Sequence, residues 1–190
     1  RFRLVPGFGN STIRHFTSNA SEMKKLAARD YEDLLQCSIP VFEGLLDGEH
    51  GNRLMKLLFR LAQWHALAKL RLHTELTLER LEKVTVDIGK LMREFRDRSA
   101  SDFMTYELPR EQQARARRQQ RAEAQRKELS EGETPATSKA RSGLTASERK
   151  PRKLNISTYK FHALGDYVST IKLFGTTDNY STQTVYFFRL

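Results

Sequence analysis

The chain has 190 residues, and 33 Lys and Arg against 23 Asp and Glu give it a formal net charge of +10. A single cysteine excludes a disulfide framework and any internal multi-cysteine zinc site, and no apolar run approaches the roughly 18–20 residues of a membrane span. At 38% aliphatic and aromatic residues the composition suits one lean domain, or a small domain with linkers. The start, Arg1-Phe-Arg-Leu-Val-Pro6, has no apolar stretch long enough for a signal peptide. It also lacks an initiator Met, so the expectation is an internal piece of a longer reading frame, nuclear or cytoplasmic and not secreted.

Residues 1–17 place Phe2, Leu4, Phe8, Ile13 and Phe16 around Pro6-Gly7 and Gly9-Asn10, which predicts an irregular segment with at most a short strand. A helical bundle is expected over 18–108. Ser18 or Ser21 can cap a first helix, with Glu22 in its first turn where the helix dipole favours an acid. Met23, Leu26, Ala27, Leu34 and Leu35 keep the helical period. Pro40 disfavours helical geometry at Ile39, so the helix should stop near Ser38.

Asn52 can cap a second helix through Leu54, Leu57, Leu58, Leu61, Ala62, Trp64, Ala68 and Leu72, and Thr74 or Thr77 a third through Leu78, Leu81, Val84, Ile88, Leu91 and Phe95. These stripes are narrow and the connections short, so the helices should pack as antiparallel neighbours.

The charge is concentrated beyond them. Residues 1–108 carry 17 basic and 15 acidic side chains, residues 109–154 carry 13 and 6, and residues 155–190 carry 3 and 2. The middle segment opens at Pro109, suited to a first helical turn, and runs through strong helix formers with no apolar face. Gly132, Pro135, Ser138 and Gly143 then read as flexible linker. With only Leu129, Leu144 and Leu154 to bury, this stretch should be a solvated basic helix, a disordered linker, or both. From Asn155 to Gly175, Phe161, Leu164, Tyr167, Val168, Ile171 and Phe174 predict a short amphipathic helix with Gly175 as its C-terminal cap. An irregular tail, 176–190, closes the chain. The fold expected is mostly α: three or four bundled helices, a long basic helix or linker, and a short C-terminal helix.

Candidate chemistry is sparse. His15, His50, His65, His73 and His162 include no pair at i, i+3 or i+4, so metal binding has no support in the spacing. Cys37 sits beside Leu34 and Leu35, where a buried inert thiol is expected. Asp30, Glu32, Asp33, Glu43, Asp47 and Glu49 read as solvated faces and loops. No cofactor, small-molecule ligand or catalytic residue is indicated. The one feature with consequences for a partner is basic: Arg115, Arg117, Arg118, Arg121, Arg126 and Lys127, then Arg149, Lys150, Arg152 and Lys153. They could contact a polyanion such as DNA, releasing counterions without reading bases; a solvated charged linker or a nuclear import signal uses the same residues.

Several segments carry a resemblance. Ile13-Arg-His-Phe-Thr17, Met23-Lys-Lys-Leu-Ala-Ala-Arg-Asp-Tyr-Glu-Asp-Leu-Leu-Gln-Cys-Ser-Ile-Pro40, Arg60-Leu-Ala-Gln-Trp-His-Ala-Leu-Ala-Lys-Leu70, Tyr159-Lys-Phe-His-Ala-Leu-Gly-Asp-Tyr167 and Phe174-Gly-Thr-Thr-Asp-Asn-Tyr-Ser-Thr182 resemble the region downstream of the catalytic core in fungal Plavaka and related CACTA-like DDE transposases. The His-Ala-Leu and Phe-Gly patterns are its more specific part, and His162 falls in the first of them without an assigned role. The resemblance implies a cut-and-paste DNA enzyme whose core holds two divalent metals on acidic residues. In that family a Glu-containing segment follows the Phe-Gly pattern, whereas this chain reads Ser181-Thr182-Gln183 and then an unmatched apolar tail. The earlier catalytic acids would lie upstream of Arg1. The expectation is therefore a non-catalytic, transposon-derived fragment, cut by a frameshift, a retained intron or decay of the copy. Its partners would be DNA, held electrostatically, and the missing transposase core. The alternative is a helical interaction or scaffold protein with no nucleic-acid role.

Overall fold

A computed structural model describes residues 1–9, 13, 15–23, 26–130 and 149–180, the side chains of 127–130 excepted. The expected linker around Gly132, Pro135, Ser138 and Gly143, the tail beyond Tyr180 and the side chain of Lys127 lie outside that description. The fold is mostly helical, with one two-stranded sheet among the described residues. Two compact units divide the chain: residues 1–102 with the segment from Leu154 onward, and residues 103–153.

In the first unit, α1 spans Ala28–Phe42, α2 Gly48–Ala68 and α3 Glu75–Arg98. α1 starts later than its serines suggested: Ala20–Glu22 form only a 3-10 turn, and the helix opens where the Asp30 carboxylate accepts the Ala27 N–H at 2.8 Å. It also runs through Pro40 instead of ending before it. Pro40 stands one turn from the end, so the missing N–H costs one ladder bond, while Cys37, Ser38 and Val41 are buried around it. Tertiary burial outweighs the local preference.

α2 begins four residues before Asn52. Gly48 takes a left-handed φ of 54°, and Gly51 lies so close to the Leu46 carbonyl that a Cβ there would overlap it. At its other end α2 stops at Ala68, and Leu72, expected on the apolar stripe, is exposed. α3 is capped reciprocally by both threonines: Thr77 N–H donates to Thr74 Oγ1 at 3.3 Å and Thr74 N–H to Thr77 Oγ1 at 2.9 Å.

The core is the α2–α3 seam, Trp64 and Ala68 against Leu78, Leu81, Val84 and Ile88, closed by Ile171 from the C-terminal segment. That segment is not one helix. It runs as α5 (Tyr159–His162), a 3-10 turn (Ala163–Asp166) around Gly165, and α6 (Tyr167–Phe174). Tyr167 meets Trp64 edge to face, with ring centroids 4.6 Å apart. Gly175, at φ 85°, ends α6 as expected, its N–H donating to the Ile171 carbonyl at 2.9 Å. One residue pair then ties the ends of two distant helices together: Thr177 Oγ1 donates to the Ala68 carbonyl at 3.0 Å, satisfying a C-terminal group of α2.

Two more acids depart from the solvated expectation. Asp33 is buried beside Cys37. Glu32 bridges α1 to the end of α2, taking Lys69 Nζ at 2.9 and 3.0 Å with His65 Nε2 3.7 Å away. Cys37 is buried as expected; burial, then the nearby Asp33 charge, pushes its thiol up, which disfavours the reactive thiolate.

Candidate nucleic-acid interface

The second unit holds the basic residues. Its helix, α4, spans Pro109–Ser130. Pro109 takes the first helical position, and the Glu111 carboxylate reaches back to accept the Leu108 N–H at 3.0 Å, half of a capping box. Beyond that turn Ala, Arg and Gln sustain the helix by propensity alone, and residues 117–126 are all exposed.

A small sheet that the sequence does not announce stands at the base of α4. Strand β1 (Thr105–Tyr106) pairs antiparallel with β2 (Pro151–Arg152), Thr105 opposite Arg152 and Tyr106 opposite Pro151. Glu107 continues the pairing. Its N–H donates to the Lys150 carbonyl at 2.9 Å, its carbonyl accepts Arg149 Nε at 2.8 Å, and its Oε1 accepts the Lys150 N–H at 3.1 Å. The same carboxylate takes Arg115 through Nε at 3.1 Å and through Nη2. Glu107 is only 1% exposed. Arg115, first, holds its carboxyl below the ordinary glutamate value against the opposing effect of burial, and the Lys150 N–H and the Arg115 and Arg152 charges add to this.

The ten predicted residues therefore fall into groups. Arg115 and Arg149 are engaged with Glu107 and position the unit. Lys150 is half-buried, with both backbone groups bonded to Glu107. Arg117, Arg118, Arg121 and Arg126 are exposed along α4, Arg152 and Lys153 are exposed on and after β2, and none of these six side chains makes a hydrogen bond or salt bridge to a described residue, although the Arg152 charge reaches the Glu107 carboxylate. At about 100° per residue, Arg117 and Arg121 share one face of α4, and Arg118 looks toward the next. Lys127 is in the helix, its side chain outside the description. His162 is exposed in α5, its ring 6.1 Å from that of Phe161, and no described side chain bonds to it.

A second constellation has no signature in the sequence. His50 Nδ1 lies 3.1 Å from Ser99 Oγ, and His50 Nε2 lies 3.7 Å from Asp102 Oδ2. The three residue types match a hydrolytic triad, but Ser99 is 0% exposed at the cap of α3, and no substrate carbonyl can approach its hydroxyl. Their positions, at the first turn of α2 and the end of α3, make them a clasp between those helices. Nothing in their spacing of 49 and 3 residues could have announced it.

Among the described residues no group of three or more His, Cys, Asp and Glu is placed to hold a metal ion, and no helix is long and apolar enough to cross a membrane. No family model, curated protein or solved structure matches the chain.

Proposed function

We infer that the chain is a non-catalytic helical accessory region of a DDE-type DNA transposase, whose basic unit contacts DNA through its phosphates. The observation that carries the DNA contact is the set of guanidiniums on Arg117, Arg118, Arg121 and Arg126, spread around a helix with no apolar face, exposed and without a hydrogen bond or salt bridge to a described residue. A solvated linker has no need of a fixed base, whereas here the Glu107 bonds to Arg115 and Arg149 brace one end of α4. Such a helix meets a polyanion as a rod of positive charge rather than as a reader of bases. The transposase assignment rests on the resemblance carried by the segments between Ile13 and Thr182.

Binding of the full chain to duplex DNA across a salt series tests the reading. Binding at low salt should weaken linearly in a log–log plot, and replacing Arg117, Arg118 and Arg121 with Gln should lower the slope by about 0.9 for each phosphate no longer neutralised. Absent or salt-independent binding rejects the DNA contact. Metal-dependent cleavage of DNA by the purified chain rejects the non-catalytic assignment.

A second reading, a protein-interaction module, is favoured by apolar side chains left open near the α2–α3 connection. Lys172–Glu75 and Arg71–Asp178 ion pairs, at 3.7 and 3.4 Å, join the C-terminal segment to that connection, and Leu72, Leu173 and Phe174 remain exposed. A partner that bound there while the chain ignored DNA would decide for this reading.

A further inference from the structure

We propose that the groove between α4 and β2 is a seat for a single phosphate group, with Arg118 and Arg152 as its two ligands. The proposal rests on the DNA reading for its source of phosphate, and on the groove's own construction for its existence.

The groove is lined by Glu111, Ala114, Arg115, Arg118, Gln119 and Ala122 of α4 and by Arg152 of β2. The helical residues recur at three- and four-residue steps, so they occupy one face. Ala114 and Ala122 leave room on that face where longer side chains would fill it. Arg118 and Gln119 rise between them, and Arg152 faces them from the strand. Each of these can donate hydrogen bonds, and a guanidinium fork matches the oxygens of a tetrahedral phosphate.

Three guanidiniums, Arg115, Arg118 and Arg152, stand against one carboxylate, Glu111, in the lining, so the groove is net positive. Arg115 is bonded to Glu107, and Glu111 is turned to the Leu108 N–H at the helix start. The Arg118 and Arg152 guanidiniums make no hydrogen bond or ion pair to a described residue. Arg117 and Arg121, further round the same helix, are equally exposed but do not line this groove. They supply general attraction, whereas Arg118 and Arg152 supply a place.

Two double variants of the full chain separate these roles, each removing two positive charges: Arg118→Gln with Arg152→Gln, and Arg117→Gln with Arg121→Gln. Glutamine is a good helix former, and far-UV circular dichroism checks that α4 persists. Each is titrated with inorganic phosphate, followed by amide chemical shifts, and with a short DNA duplex at low salt. The Arg118/Arg152 pair should weaken phosphate binding about tenfold or more, the scale of one missing charge-assisted hydrogen bond, and the Arg117/Arg121 pair should leave it nearly unchanged. Lysine at positions 118 and 152 should restore only part of the affinity, because it keeps charge without the fork.

Saturable phosphate binding without duplex binding would keep the seat, assign it to a free phosphate, and remove the DNA reading. Duplex binding that depends on Arg117 and Arg121 but ignores Arg118 and Arg152 would keep the DNA reading and overturn the seat. Equal losses for the two doubles in both titrations would also overturn it, since charge alone would then account for binding.

Discussion

The indole Nε1 of Trp64 donates to Thr85 Oγ1 at 2.8 Å, and that hydroxyl passes its own hydrogen to the Leu81 carbonyl at 2.7 Å. The polar edge of the chain's single tryptophan is thus satisfied inside the α2–α3 seam, while its ring packs on Tyr167. Thr85→Val keeps the shape and leaves the indole N–H without its acceptor. Urea unfolding followed by Trp64 fluorescence should show a loss of about 1–3 kcal/mol. A change under about 0.3 kcal/mol would mean that water replaces the threonine.

Two glycines should respond to alanine with opposite signs. Gly51→Ala sets a Cβ against the Leu46 backbone carbonyl, so the turn into α2 must shift, at a cost of about 1–3 kcal/mol. Gly89→Ala, in mid-α3, meets only the end of the Arg93 side chain, at 3.4 Å. It should stabilise the chain by about 0.5–1 kcal/mol through helix propensity. Thermal melts of the two variants, run side by side, check both signs.

His65 should make the first unit sensitive to mild acid. Burial pushes its pKa below the ordinary imidazole value, Glu32 opposes that shift, and Lys69 adds to it. A depressed histidine pKa means that the unfolded chain binds the proton first. Stability is full above the unfolded value of about 6.5 and falls as pH drops from there toward the folded value. The urea midpoint should therefore fall as the pH drops below about 6.5, and His65→Gln should flatten that fall. An identical slope in the variant would place the sensitivity elsewhere.

The Glu107 pairing should fail at a lower pH. Its folded carboxyl is held below the usual range, chiefly by Arg115. The stabilisation is thus present above the unfolded glutamate value and lost as pH falls through the folded one. The protection factor of the Lys150 amide, which donates to that carboxylate, should fall on acidification once the intrinsic slowing of amide exchange in acid is divided out. Glu107→Gln should show low protection already at neutral pH, and that protection should no longer change with acid; protection unchanged by the substitution would show that the backbone pairing suffices.

Much of the architecture was legible because it is local. The α3 stripe Leu78, Leu81, Val84 and Ile88 is buried as its spacing predicts, and the threonine cap and the Gly175 stop lie where residue chemistry puts them. Pro40 misled, because a propensity rule is blind to the burial of Cys37 and Val41 on either side of it. The β1–β2 pairing could not be read at all: two-residue strands have no periodicity, and their partners stand more than 40 residues apart. That gap also hid the division of the basic residues. Arg115 and Arg118 look alike in sequence, but Arg115 is bonded to Glu107 while Arg118 faces the groove that the returning Arg152 helps to line.

The first unit is assembled from both sides of the second. Trp64 belongs to the stretch before residue 103, and Tyr167 and Ile171, which cover it, belong to the stretch after 153. Lengthening the intervening segment adds only about 0.6 kcal/mol of closure entropy per doubling, so the basic unit can vary in length with little effect on the core. The same arrangement makes the core a natural pair of complementing fragments. A chain opened within residues 131–148 keeps every described neighbour of the Trp64 cluster, and its two pieces have an apolar surface by which to find each other again.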